Sequence, residues 1–391
     1  MLQNICIAHG GDISKFQGGT NRVVAFIKAL RNSGYNIHLV VPKPEMKFPK
    51  ELKDTNIHIY TVPLKAKGVR NQILRAILIS LKAKKIAEKN KAVLQIEHST
   101  LCGVAALLGI SNYILDIHDI SADDPQYTDL PLSTIARGLI YNIEKISTIK
   151  AKKIIVVNEF MKRYIIERWG IPEERIEVIP NGYFEEKLKV FNYNVEEVPN
   201  MISFLGTLSH KIDINKIIKL AKSLNYSQIY IIGDGPMRSK LERMINRQGI
   251  KNVILTGRLP DEEAFSIIAK SQVVIFPLKI SPYTATLTSV KLFDYGALGK
   301  AIVVDDVSKS EIWKEFRERK AAMFADPRNP DDFVKCVLVL LEDENLRRRL
   351  GRNAKRLVKK YTWEKLAERL VKLYKEEVLN ENQPYRADIN R

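Results

Sequence analysis

Cysteine is scarce in this chain. Only Cys6, Cys102 and Cys336 occur among 391 residues, far apart and in apolar surroundings. No CxxC pair exists, so a disulfide framework and a cysteine-based metal site are not expected; the three read as reduced core residues of a cytosolic protein. No uncharged apolar run approaches the roughly 20 residues that span a bilayer. The longest runs, ILRAILISL (73–81) and VKCVLVLLE (334–342), are short and charged. The opening MLQNICIAHGGD lacks a basic segment followed by an apolar run, so no signal peptide is expected. There is no GxxxxGK[ST], hence no P-loop, and no low-complexity tract or repeat with a period of about 20–50 residues. Glycine (19) and proline (16) are not enriched and hydrophobic residues make up 45%, so the chain is globular.

Negative charge is also in short supply, with 45 Asp and Glu against 63 Lys and Arg, a net charge of +18. Residues 1–91 hold 17 of the cations and only 5 acids, a local +12. Such a field favours anionic partners, namely nucleic acid, an acidic lipid surface or a phosphorylated substrate; a lysine-rich solvated surface is the plainer alternative. Nucleic acid is set aside, because no recognition motif or basic–aromatic interleaving accompanies the charge.

What is present is a regular alternation of short apolar runs and amphipathic runs. ICIAH (5–9) is a strand signal, and TNRVVAFIKALRNSG (20–34) follows as a helix. Val23, Val24, Phe26, Ile27 and Leu30 form its stripe, and Gly34 lies past its end. NIHLVV, IHIYTV, AVLQIEH, YILDIH, KIIVV and IEVIP continue the strands. After a polar stretch near 185–200 the pattern restarts with MISFLG, QIYIIG, NVILTG, QVVIFP and AIVVDD. The alternation implies α/β architecture with two Rossmann-like, doubly wound parallel sheets facing a cleft. The expected domains are 1–190, completed by a C-terminal helix over about 362–391, and 198–361. Ligands of such sheets bind beyond the carboxyl ends of the strands, so the residues just after each strand carry the chemistry.

Six segments meet that condition. FLGTLSHKID (204–213) offers Gly206 for close backbone approach and Lys211, near a helix start, as a point charge for a phosphate. IIGDGPMRSKLERM (231–244) has Gly233 in a tight turn and Pro236 at an expected helix start. VILTGRLPDEEAF (253–265) presents Arg258 and Leu259, with Asp261 as an expected helix cap. In FPLKISPYTATLTSVKLFDYGALGK (276–300), Ser289 caps a helix whose first amides and Lys291 suit a pyrophosphate. Asp294, one turn inside, can accept from ribose hydroxyls. In the N-terminal half, Gly18 and Gly19 open a helix within GGDISKFQGGTNR (10–22), and YILDIHDISADD (113–124) ends a strand at His118, placed to bond a sugar hydroxyl or shuttle a proton. The spacing of Asp116, Asp119, Asp123 and Asp124 matches neither an EF-hand nor a two-histidine motif, so no metal site is assigned.

Taken in order, the GG loop, VNEFMKRYIIERWGIPEERIEVIPNG (157–182), FLGTLSHK, IIGDGP, LTGRLP, KLFDYGALGKAIV and the closing YTWEKLAERLVKLY resemble the GT-B glycosyltransferases. They are most similar to the family-four retaining, nucleotide-sugar-dependent enzymes, the group 1 glycosyl transferases. The resemblance implies sugar transfer from a UDP- or GDP-linked donor to a glycan or lipid-linked acceptor, with no cofactor and no obligatory metal. It implies donor binding by Gly206, Thr207, Gly233, Thr288, Ser289, Val290 and Lys291, with Arg258 and Leu259 near the base and Asp294 on the ribose. Gly18 and Gly19 would close over the phosphates, His118 would contact the sugar, and Lys211 would stabilise the departing diphosphate. Three positions depart from the family pattern. Thr286 stands where a first glutamate is common, Thr207 replaces an arginine, and Lys211 falls one residue early. A sugar-nucleotide epimerase and a non-catalytic binding subunit are the competing readings. Residues 63–91 combine many cations with Ile73, Leu74, Ile77, Leu78 and Leu81, so a basic amphipathic helix on an anionic membrane is expected, in a cytoplasmic protein peripheral to the inner face.

Overall fold

A computed structural model describes residues 3–14, 18–63, 69–124, 133–189 and 195–381. Seven strands, β1 (Asn4–Ala8), β2 (Asn36–Pro42), β3 (Ile57–Val62), β4 (Val93–Glu97), β5 (Tyr113–Ile117), β6 (Ala151–Val156) and β7 (Ile176–Val178), form one sheet in the order β3-β2-β1-β4-β5-β6-β7. Six more, β8 (Val198–Leu205), β9 (Gln228–Ile232), β10 (Val253–Gly257), β11 (Ser271–Phe276), β12 (Ala301–Asp305) and β13 (Met323–Ala325), form the second in the order β10-β9-β8-β11-β12-β13. Every strand pair within these sheets is parallel. The cause is visible in the sequence. Helices cover both faces, so central strands such as ICIA of β1 and IVV of β12 are apolar without alternation.

The helix Gly18–Asn32 buries Val23, Val24, Phe26, Ile27 and Leu30, and the chain leaves it through Gly34 at φ +88°. The last helix, Trp363–Glu381, packs against it. Trp363, Leu366, Leu370, Leu373 and Tyr374 share one buried cluster with Phe26, Ile27 and Leu30. Just before that helix, Tyr361 belongs to the other core, its ring centroid 4.9 Å from that of Phe293. The chain therefore passes between the sheets twice, near 184–198 and again near 358–363. The two passages are tied side by side: Tyr183 N–H donates to the Tyr361 carbonyl at 3.1 Å, and Trp363 N–H donates to the Tyr183 carbonyl at 3.1 Å.

Several local expectations shift. Pro236 precedes its helix, Arg238–Arg247, by two residues, and Asp261 is the first helical residue of Asp261–Lys270 behind the cap Pro260. Tyr361 lies outside the closing helix, and strand β13 is too short to stand out in the sequence. Residues 64–68 of the basic segment, 190–194 of the inter-domain stretch and 382–391 of the tail lie outside the described residues.

Candidate active site

Residues that follow β5, β7, β8 and β11 meet around one cavity of about 460 Å³. On the C-terminal side its floor is the helix Val290–Ala297. Ser289 caps it, its hydroxyl accepting from Lys291 N–H at 3.3 Å. Lys291 runs over Gly206. A Cβ on Gly206 would lie 1.7 Å from Lys291 Cε, and the backbone there has φ +148°. Gly206 is thus the space in which the lysine lies. Gly233 supports it from beneath, since a Cβ there would sit 2.2 Å from the Gly206 carbonyl oxygen.

Lys211 occupies the loop between β8 and the helix Ile214–Ser223, which Asp213 caps. Its carbonyl accepts from Lys279 N–H at 2.9 Å, pinning the loop to the segment after β11, and its ammonium sits 5.2 Å from the Tyr283 ring centroid. Burial lowers the Lys211 pKa, partly offset by Asp119 and Asp124. Burial, and then Lys211, bring Lys291 down to about 8, with Asp294 opposing. Two partly buried ammonium groups that repel each other across a cavity form a site that gains stability when an anion enters.

The N-terminal side carries a denser network. Asp116 and His118 share one face near the end of β5, two residues apart, and the parallel register sets Glu97 of β4 beside Asp116. His118 Nε2 lies 3.0 Å from Asp116 Oδ2 and 3.1 Å from Glu97 Oε2. Arg22, fully buried, grips Asp116 in a bidentate pair at 2.8 and 2.9 Å and donates to the Ile179 carbonyl at 2.9 Å. Burial alone would lower the His118 pKa, yet Asp116 and Glu97 push it up to about 10. Burial would raise Asp116, but Arg22 and His118 hold it well below the carboxylate range. Asp119 bridges to the other domain: its carboxylate accepts from the Tyr283 hydroxyl at 3.1 Å and contacts His98 Nε2 at 3.1 Å.

His118, Lys211, Asp294, Gly19, Gly206, Thr207, Thr288, Ser289, Val290 and Lys291 all line the cavity. Gly233, Arg258 and Leu259 are not among its lining residues, and Gly18 falls outside the residues whose surroundings are described. Arg258 is exposed and Leu259 packs on the C-terminal core, and that segment presents Asp261 and Phe265 instead. Thr286 does not face the cavity. Its buried hydroxyl donates to the Tyr283 carbonyl at 2.9 Å, and its own carbonyl accepts from Asn158 Nδ2 at 2.8 Å. Asn158 also donates to Thr288 Oγ1 at 2.7 Å while capping the helix Glu159–Trp169, so this stretch joins the two domains. Asn21, Asp119, Asn181 and Tyr283 line the cavity without having been singled out as donor ligands from the sequence.

Among the described residues, Glu97, Asp116 and His118 are the trio whose candidate ligand atoms fall within 4.8 Å of one another. Arg22 and the imidazole already balance those two carboxylates, so the donor set fits an ion-pair cluster better than a cation site.

Residues 16–186 match the family described as Glycosyltransferase Family 4, and residues 185–357 match Glycosyl transferases group 1. An uncharacterized glycosyltransferase of Methanocaldococcus jannaschii is 25% identical over 252 residues, which cover 60% of this chain and 63% of that protein, just under two thirds of its length. Among solved structures, sucrose-phosphate synthase from Thermosynechococcus elongatus superposes with a TM-score of 0.79 at 14% identity, covering 97% of this chain and 100% of that one. Anabaena HepE in complex with UDP and glucose gives 0.71 at 13% identity, covering 97% and 100%. At those identities the structural likeness speaks for the fold alone. With the two family matches running back to back from residue 16 to residue 357 over two Rossmann-like sheets, the chain belongs to the group 1 glycosyltransferases of the GT-B fold.

Proposed function

We propose that this chain transfers a sugar from a UDP- or GDP-linked donor to a glycan or lipid-linked acceptor, with retention of the anomeric configuration. One observation carries the reading: Lys211, Lys291 and the capped head of the helix Val290–Ala297 converge on a single cavity, with Asp294 one turn inside it. The amides at Ser289–Lys291 and the two ammonium groups take the diphosphate. Asp294 accepts from the ribose hydroxyls, Gly19 covers the phosphates and His118 meets the sugar. Negative charge grows on the leaving diphosphate as the glycosidic bond breaks, and Lys211 and Lys291 stabilise it there. Two ammonium groups supply positive charge of the kind a divalent cation would bring, so the proposal needs no metal. HepE, a protein of the same fold, holds UDP and glucose, which supports a donor of this class.

For the acceptor, the helix Val69–Asn90 leaves Ile73, Leu74 and Leu81 exposed, with Lys84, Lys85 and Lys89 exposed on the same helix. Such a surface suits an anionic bilayer, where a lipid-linked acceptor would reside. Among the described residues no helix is long and apolar enough to cross a membrane.

The test is a thermal-shift and turnover screen over UDP, GDP, ADP and their sugars. Stabilisation by one diphosphate, and sugar release or transfer from its conjugate with the product's anomeric proton unchanged in configuration, are expected. An inverted product removes the claim of retention. Epimerised free nucleotide-sugar, or binding without any turnover, overturns the transferase reading. Sedimentation with anionic but not neutral vesicles at low salt checks the membrane surface.

A further inference from the structure

Behind His118 lies a buried polar chain that the proposed donor contacts do not use. Tyr374, on the last helix Trp363–Glu381, donates its hydroxyl hydrogen to Gln95 Oε1. Gln95 in turn donates from Nε2 to Glu97 Oε1, and Glu97 Oε2 stands 3.1 Å from His118 Nε2. Tyr374, Gln95 and Glu97 are all essentially inaccessible to solvent. Buried polar residues at the ends of apolar strands carry a desolvation cost that structure retains only where they are fully bonded or have a task. The opposite edge of the imidazole faces the cleft. His118 Nδ1 is the atom nearest to where a Cβ on Gly19 would lie, at 3.2 Å, and both residues line the cavity.

We propose that Glu97, braced by Gln95 and Tyr374, is a positioning residue that holds a proton on His118 Nδ1, so that His118 presents a hydrogen-bond donor to the cleft. The inference rests on the transferase reading only for what that donor meets, an oxygen of the nucleotide-bound sugar or its phosphate. Two carboxylates converge on Nε2, and Asp116 is occupied on both oxygens by Arg22. The hydrogen bond at Nε2 is to Asp116 Oδ2 at 3.0 Å, and Glu97 Oε2, 3.1 Å from the same nitrogen, adds a second negative charge that favours the doubly protonated imidazolium. In that form Nδ1 keeps its own proton. Without the Glu97 charge, neutral His118 would keep its single proton on Nε2, facing Asp116, and turn a lone pair toward the substrate.

The surroundings agree in sign. Burial and the proximity of Asp116 raise the Glu97 pKa, as expected for two acids sharing one base. His9, after β1, is pushed down to about 3 by burial first and then by His118 and His98, so it is neutral and adds no competing charge. The remaining charged neighbours are Arg22 behind Asp116, and His98 paired with Asp119. A raised imidazole pKa means that the donor form persists until the pH approaches about 10 and is lost above it.

The test reads the proton directly, apart from turnover. Imidazole ¹⁵N resonances of the full-length protein are followed from about pH 6 to pH 10, with His118 assigned through His118→Gln. Nδ1 is expected to stay protonated through about pH 9 in the wild type. In Glu97→Gln the midpoint is expected to fall by roughly one to three pH units, the size of one adjacent opposite charge. Tyr374→Phe, which removes only a hydroxyl and keeps the apolar packing, should move it in the same direction by less, and serves alone should Glu97→Gln not fold. The alkaline limb of kcat should follow the same midpoint. A wild-type Nδ1 that loses its proton near the ordinary histidine value, or variants that leave the midpoint in place, overturn the inference. A shifted midpoint in a protein that transfers no sugar overturns the transferase reading and leaves this inference standing.

Discussion

Replacing Lys291 by methionine separates the binding role of this side chain from its packing. Methionine retains the aliphatic stem that lies over Gly206 and removes the charge. A hydrogen bond to a charged partner contributes about 1.5–3 kcal/mol, which is roughly a 10- to 150-fold weaker Kd for the nucleoside diphosphate. The pH dependence sharpens the test. Lys291 is held at about 8 in the free protein, mainly by burial and then by Lys211. A bound diphosphate favours the charged form, so binding takes up a proton once the pH exceeds about 8 and affinity falls there. Below that pH the lysine is already charged and affinity is flat with respect to this group. Isothermal titration of wild type and Lys291→Met between pH 7 and pH 9.5 should show the break near 8 only in the wild type. The free variant should also melt higher at neutral pH. A lysine whose folded pKa lies below its unfolded one destabilises the fold at every pH where the unfolded side chain is charged, fully so below about 8. Equal Kd values at pH 7, or the same break in both proteins, would refute the reasoning.

Arg22→Met should lower unfolding free energy by about 3–5 kcal/mol, since it leaves Asp116 charged and buried without its partner; a loss under about 1 kcal/mol in a denaturant titration contradicts the pairing. Gly233→Ala should destabilise more than Gly206→Ala, because its Cβ meets rigid backbone at 2.2 Å whereas that of Gly206 meets the mobile end of Lys291; Gly206→Ala should instead chiefly weaken diphosphate binding, read as a smaller ligand-induced Tm shift. Asn158→Ala should cost about 1 kcal/mol through its helix cap alone, and more once its bonds to Thr286 and Thr288 are counted; two resolved calorimetric transitions in the variant, against one in the wild type, would mark the loosened domain contact.

Much of the C-terminal side of the cavity could be read along the chain because its parts are local. Ser289, Lys291 and Asp294 lie within six residues, and a capped helix after an apolar strand places them relative to one another without any distant contact. The segment after β10 was less legible. Gly257 turns the chain at φ +71°, and the side chains that reach the cavity come from Asp261 and Phe265, a turn later than Arg258 and Leu259. Position 286 could not be interpreted from its neighbours. Its side chain is taken up by its own loop and its carbonyl by Asn158 of the other domain, a partner 128 residues away.

The sequence by itself determined the two parallel sheets and the capped helix Val290–Ala297 at the cavity. Both follow from periodicity and capping, which act over a few residues. Only the tertiary structure decided the state of His118. Its partners are Asp116, two residues away, and Glu97, brought alongside by the β4–β5 register; Asp116 is held by Arg22, 94 residues away, and Glu97 is braced through Gln95 by Tyr374, 279 residues from Gln95. An acid at or next to the end of a largely apolar strand, Glu97 in VLQIE and Asp116 in YILDI, was the trace of this network in the chain. Which acids meet which bases depends on strand order and on the return of the last helix, and electrostatic energy depends on distance in space rather than along the chain.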